Sequence, residues 1–130
     1  LIEFALEGVK PIPQGSMRHI GNGRMIHSRA TELATYRAGL ALVAKPLFPV
    51  PLSNPIILTL NFGLIAPKTV KRAMPTVPPD LDKLVRAVLD GLTGVVYADD
   101  SQVVGIRAAK YYHPRYETRV GVEIAGFEAL

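Results

Sequence analysis

The stretch IILTLNFGLI, residues 56–65, decides the fold. Ile56, Leu58, Leu60, Phe62 and Leu64 alternate with Thr59, Asn61 and Gly63. A period of two sends successive side chains to opposite faces of a strand, so one wholly apolar face here calls for a cover. The cover is found downstream, in PDLDKLVRAVLDGL, residues 79–92. Leu81, Leu84, Val85, Val88, Leu89 and Leu92 recur there at the three- and four-residue intervals of an amphipathic helix. This helix is expected to start at Pro79 or Asp80 and to end at Gly91 and Gly94. A basic loop, residues 66–79, joins the two and carries Lys68, Lys71 and Arg72.

Working outward, Ile2, Phe4 and Leu6 share a face opposite Glu3, which predicts a first strand over residues 1–6, broken by Pro11 and Pro13. Residues 15–29 read as a polar, basic loop, with Gly21-Asn22-Gly23 as a hairpin turn. Ser28 or Thr31 is a candidate cap for a helix to about Lys45, with Leu33, Tyr36, Leu40, Val43 and Leu47 as its apolar stripe and Pro46 as its stop. Residues 49–55 read as a connector. Downstream of residues 79–92, residues 95–97 and 103–111 read as extended, with Asp99-Asp100 in the turn between them. Residues 118–124 alternate as a last strand. Helices interspersed with hairpin-like strands predict a single α+β domain over residues 1–130. Its mixed or mostly antiparallel sheet has about four to five strands, with two helices packed on it.

A chain that is 48% hydrophobic can bury an ordinary core. No apolar run is long enough to span a membrane. Glu3 and Glu7 break the apolar start, so no signal peptide is read there. The absence of cysteine removes disulfides, a thiolate nucleophile and cysteine-type zinc sites, and fits a cytoplasmic location.

The net charge of +4 is unevenly spread. All five aspartates, Asp80, Asp82, Asp90, Asp99 and Asp100, lie within residues 80–100. With Lys83 and Arg86 that window carries −3, and the rest of the chain +7. A basic surface suits a polyanion, nucleic acid first. Carboxylates gathered within it repel that polyanion unless a cation lies between them.

Each acidic pair also has a plainer reading. Asp80 and Asp82 suit a helix N-cap and first turn, and Asp99 and Asp100 suit a turn. The alternative is convergence. A helix of about 20 Å followed by about six extended residues would bring Asp99-Asp100 back to the helix start. Three or four carboxylates there would suit Mg²⁺ or Mn²⁺. Asp90, two turns further along, reads as solvated or paired with Arg86. Arg86 is either an ion-pair partner of Asp82 or a cation beside a scissile phosphate.

The run Pro79-Asp80-Leu81-Asp82-Lys83-Leu84, then Ala87-Val88-Leu89-Asp90-Gly91-Leu92-Thr93-Gly94, then Asp99-Asp100-Ser101-Gln102-Val103 resembles the RusA family of Holliday junction resolvases. The resemblance implies a Mg²⁺-dependent homodimer, of bacterial or phage type, that resolves four-way DNA junctions by paired nicks. It implies Asp80, Asp82 and Asp100 as catalytic and metal-binding residues, with Mn²⁺ as substitute. A family lysine aligns with Arg86, and Lys83 stands where many members have Asn, so Lys83 and Arg86 are both candidates for the catalytic cation. Twofold symmetry suits a junction that is itself nearly twofold. The basic loop residues Arg18, His19, Arg24, Arg29, Lys68, Lys71, Arg72, Lys110 and Arg115 flank the acidic window and are the candidate DNA contacts. The rival reading is a non-catalytic junction- or duplex-binding protein whose aspartates only cap a helix and a turn.

Overall fold

The computed structural model describes residues 1–15 and 23–126, with residues 23–29 as helix backbone only. The elements run β1 (Ile2–Glu7), α1 (Gly23–Ala44) with a 3-10 turn at Lys45–Leu47, and β2 (Ile56–Leu64). Then follow α2 (Leu81–Leu92), a 3-10 turn at Asp100–Gln102, β3 (Val103–Tyr112) and β4 (Glu117–Ile124). The strands form one open sheet in the order β1-β4-β2-β3. β4 pairs antiparallel with both β1 and β2, while β2 and β3 are parallel. The fold is α+β with a mixed sheet, as the sequence patterns predict.

β2 sits between β4 and β3, and its apolar row is the floor of the core. Ile56, Leu58, Leu60 and Phe62 are fully buried, together with Tyr36 and Leu40 of α1, Leu84, Val88 and Leu92 of α2, and Val120 of β4. Burying each such aliphatic side chain contributes about 1.5–3 kcal/mol over leaving it exposed. Across this core the Tyr36 hydroxyl and the Thr118 hydroxyl hydrogen-bond at 2.6 Å.

Four local expectations are corrected. α1 begins at Gly23 rather than at Ser28 or Thr31, since no residue in 24–31 is a strong helix breaker. The rest of the expected Gly21-Asn22-Gly23 turn lies outside the described residues. Leu47 falls past α1 and is 45% exposed, and the buried position at the helix end belongs to Ala44. Gly91 does not end α2. It lies inside the helix, where a Cβ would stand 3.3 Å from the Arg37 Cα, so its small size sets how closely the two helices cross.

Residues 95–97 are not an extended return. Val96 N–H donates to Leu92 O at 2.9 Å and Gly94 N–H to Tyr97 O at 2.7 Å, which closes a tight turn. Gly94, with φ +83°, supplies the left-handed residue that this turn needs. Tyr97 contributes isolated bridges to Leu52 and Thr93 instead of a fifth strand.

Candidate active site

α2 starts where β3 ends. Lys110, late in β3, donates from Nζ to Val77 O at 2.8 Å and to Pro79 O at 2.9 Å, which pins the segment that delivers Asp80. Asp80 is the N-cap residue of α2, yet its side chain makes no capping hydrogen bond. Its carboxylate lies 3.6 Å from Lys83 Nζ. Asp82 is exposed in the first turn. Among the described residues Arg86 makes no ion pair with Asp82 within 4 Å. Arg86 lies with Lys83 beside Gly15, whose missing Cβ would stand 3.7 Å from Arg86 Nη1 and 3.9 Å from Lys83 Cδ.

The second acidic pair divides its roles. Asp99 is the N-cap of the 3-10 turn: its Oδ1 accepts from Ser101 N–H at 2.9 Å, and the Gln102 side chain accepts from Asp99 N–H at 2.9 Å. The Ser101 N–H holds the Asp99 carboxyl below its ordinary pKa. The turn reading is therefore right for Asp99. Asp100 is the exposed residue that follows it.

The fold keeps Asp100 away from Asp80 and Asp82 in one chain. Asp100 precedes the start of β3, whereas Asp80 lies beside its end. The seven steps from Val103 to Lys110 span about 23 Å as a strand. Tyr97 places Asp100 at the opposite end of α2: its hydroxyl donates to Leu89 O at 2.8 Å, and both Asp100 and Asp90 act on it electrostatically. Among the described residues no three His, Cys, Asp or Glu side chains are grouped as a metal site. The return that would have closed the cluster is missing because residues 94–97 turn back on themselves.

Asp90 pairs with Arg37, not with Arg86. Arg37 Nη2 lies 3.6 Å from Asp90 Oδ2. The Gln14 side chain donates to Asp90 and accepts from Arg37. Gln14 N–H also donates to Lys83 O at 3.0 Å, so the β1–α1 connector lies along α2. These contacts wall a cleft of about 550 Å³ beside Asp80, lined by Lys10, Pro11, Pro13, Arg37, Asp80 and Lys83. The sequence reading missed Lys10, Gln14 and Arg37, because nothing in their local pattern ties them to residues more than fifty positions away.

Of the expected DNA contacts, Arg18 and His19 lie outside the described residues. Arg24 and Arg29 are on α1, with side chains outside the description. Lys68, Lys71 and Arg72 are exposed in the loop before α2, where Arg72 Nε donates to the Tyr112 hydroxyl at 2.9 Å. Lys110 is engaged with the Val77 and Pro79 carbonyls. Arg115, in the β3–β4 turn, pairs with Glu7 at 3.1 Å. No helix among the described residues is long and apolar enough to cross a membrane.

The chain is 32% identical over 136 aligned positions to the uncharacterized protein YqaN of Bacillus subtilis (strain 168), an alignment that takes in 92% of this chain and 94% of that protein. The family model for endodeoxyribonuclease RusA matches residues 9–125, from just after β1 through β4. The chain belongs to the RusA endodeoxyribonuclease family.

Proposed function

We propose that this protein is a divalent-metal-dependent endonuclease that resolves four-way DNA junctions as a homodimer. In this reading Asp80 and Asp82 of one copy and Asp100 of the other form each site. The observation that carries it is the uncapped Asp80. An aspartate at a helix N-cap ordinarily bonds to the first turn, and this one does not. It stands with Asp82 at the positive end of α2, which favours negative charge and hence phosphate nearby. Two exposed carboxylates fit Mg²⁺, which takes one or two carboxylates with water and substrate oxygens, and they fit Mn²⁺ as its substitute. When bound, such a cation supplies charge neutralisation at the scissile phosphate and an activated water.

The remaining chemistry belongs to side chains of this chain. Lys83 and Arg86, one and two turns into α2, offer positive charge to a phosphate, and either can stabilise the transition state. Lys110 acts as a positioning residue through Pro79. Lys68, Lys71, Arg72 and Arg115, with Arg18, His19, Arg24 and Arg29, would follow the backbone of branched DNA. DNA as substrate is also the basis for a cytoplasmic, bacterial or phage-infected setting.

A non-catalytic DNA-binding reading draws on the capping box at Asp99 and on the separation of Asp100 from Asp80 in one chain. The dimer removes the second objection, and Asp80 does not behave as a cap. The test is nicking of a synthetic four-way junction. Asp82→Asn and Asp100→Asn should each slow cleavage by at least about a hundredfold, as loss of several kcal/mol of metal-borne stabilisation implies, with binding retained. Mixing the two inactive variants should restore nicking at roughly a quarter of wild type, since half the dimers are mixed and each has one intact shared site. Junctions left whole by wild type in both Mg²⁺ and Mn²⁺ would end the catalytic reading. An inactive mixture whose subunits exchange would end the shared site.

A further inference from the structure

The cleft beside Asp80 is larger than a metal ion needs. Its volume of about 550 Å³ lies within the roughly 300–1,000 Å³ of small-ligand sites. Two kinds of surface line it. Pro11, Pro13, Leu33 and Pro79 give apolar walls, and Lys10, Arg37 and Lys83 give three cations. Glu32 and Asp80 are the acids on the same lining, so positive charge is in excess. Hydrogen bonds set these walls in place. Gln14 N–H donates to Lys83 O at 3.0 Å, which ties the connector after β1 to α2. The Arg37 guanidinium is held by the Asp90 carboxylate and the Gln14 side chain. Its Nε is nonetheless buried with no hydrogen-bond partner among the described residues. A buried donor left unmet is costly, and a small rotation toward an acceptor in the cleft recovers that cost.

We propose that this cleft holds one nucleotide of the DNA strand, turned out of its stack beside the phosphate that is cut. Base and phosphate each find a surface there. The proline and leucine faces accept the flat apolar ring, and Arg37 donates to acceptors on the edge of the base. Lys10 and Lys83 meet the phosphate as cations. Position selects a DNA strand over a free nucleotide. Asp80 and Lys83 belong both to the cleft and to the proposed site of cleavage. A strand whose phosphate lies at Asp80 therefore brings the neighbouring nucleotide to the cleft. Turning a base out costs least where stacking is already broken, as at a crossover. The placement beside a cut phosphate rests on the junction-resolving reading; the size and charge of the cleft do not.

No aromatic side chain among the described residues lines the cleft, so a fluorescent base seated there escapes the quenching of a stack. The base used is 2-aminopurine, a purine with ring-nitrogen acceptors. It is placed in turn at each position flanking the crossover of a synthetic four-way junction. The full chain is added without divalent metal, so that no strand is cut. Fluorescence should rise at least about threefold at one position, as unstacking of that base implies. Ala30 is exposed on α1 and lines the cleft. Ala30→Trp fills the cleft and should remove the rise with an unchanged circular dichroism spectrum. Ala30→Leu, a smaller and helix-favouring change, should lower it in part and keeps the test open if the larger side chain disturbs α1. Leu42→Trp, exposed on α1 outside the cleft, should change nothing. No rise at any position overturns the proposal, as does a rise that neither Ala30 variant lowers. Free deoxyadenosine monophosphate that binds wild type but not Ala30→Trp, with no junction brightened, makes this a free-nucleotide site and overturns the strand assignment. Adding Mg²⁺ to the same samples separates the two ideas. Nicking without a rise removes the cleft and keeps the nuclease reading. A rise lost in Ala30→Trp, with junctions left whole by wild type, keeps the cleft and removes the nuclease reading.

Discussion

Asp80 and Asp99 both occupy N-cap positions, and only Asp99 uses its side chain to cap. The difference follows from what else each group meets. Asp99 has the free N–H of Ser101 within 2.9 Å and the Gln102 side chain to complete the box, while Asp80 turns to Lys83. The Asp99 carboxyl should therefore titrate below the ordinary aspartate value in a carbon-detected NMR titration. Ser101→Pro, which deletes the donor, should move it back up. The sign of the linkage is that of any depressed acid: the contribution is present above the unfolded value and lost as pH falls through the lowered one. A titration of Asp99 at or above its ordinary value would contradict the capping geometry.

α2 carries three jobs on three sides. Leu84, Val88 and Leu92 face the core, Gly91 meets α1, and Asp82 stands on the outer flank. The tightest constraint is at Gly91, where an added Cβ would stand 3.3 Å from the main chain of Arg37. Gly91→Ala should be nearly neutral in urea unfolding, since the gain of about 0.5–1 kcal/mol in helix propensity offsets the tight contact. Gly91→Val adds branches at the same point and should cost about 1–3 kcal/mol by overpacking. If valine is tolerated as well as alanine, the helix crossing is looser than these distances imply.

For the whole molecule, two buried tyrosines couple stability to alkaline pH. Burial pushes the Tyr36 and Tyr97 hydroxyls well above the ordinary value of 10, and in Tyr97 the charges of Asp100 and Asp90 add to the effect. Both stay protonated in the folded chain where the unfolded chain would ionise. Their contribution is thus complete below about pH 10 and is lost as pH rises beyond it, at about 1.4 kcal/mol per pH unit per tyrosine. Urea unfolding across that range should show the fall. Tyr36→Phe should remove its share of the slope while costing about 1 kcal/mol at neutral pH, because it strands the Thr118 hydroxyl. A flat profile to about pH 11 would mean that neither hydroxyl is as enclosed as the core packing requires.

Parts of the molecule whose physics is local were legible in residue pattern alone. The alternation of residues 56–64 made a strand, the spacing of Leu81 to Leu92 made a helix, and the confinement of every aspartate to residues 80–100 marked where to look. The joined motif of residues 79–103 also carried the family. Tertiary structure decided what depends on direction in space. A short turn at Gly94 sends Asp100 to the far end of α2, which no spacing rule foresaw, because turn closure depends on which carbonyl each N–H finds. It likewise chose Arg37 and Gln14 as the partners of Asp90, left β3 at the sheet edge, and separated Asp100 from Asp80 and Asp82 within one chain. Convergence of distant charges is a property of packing, and pattern alone carries no distance between elements.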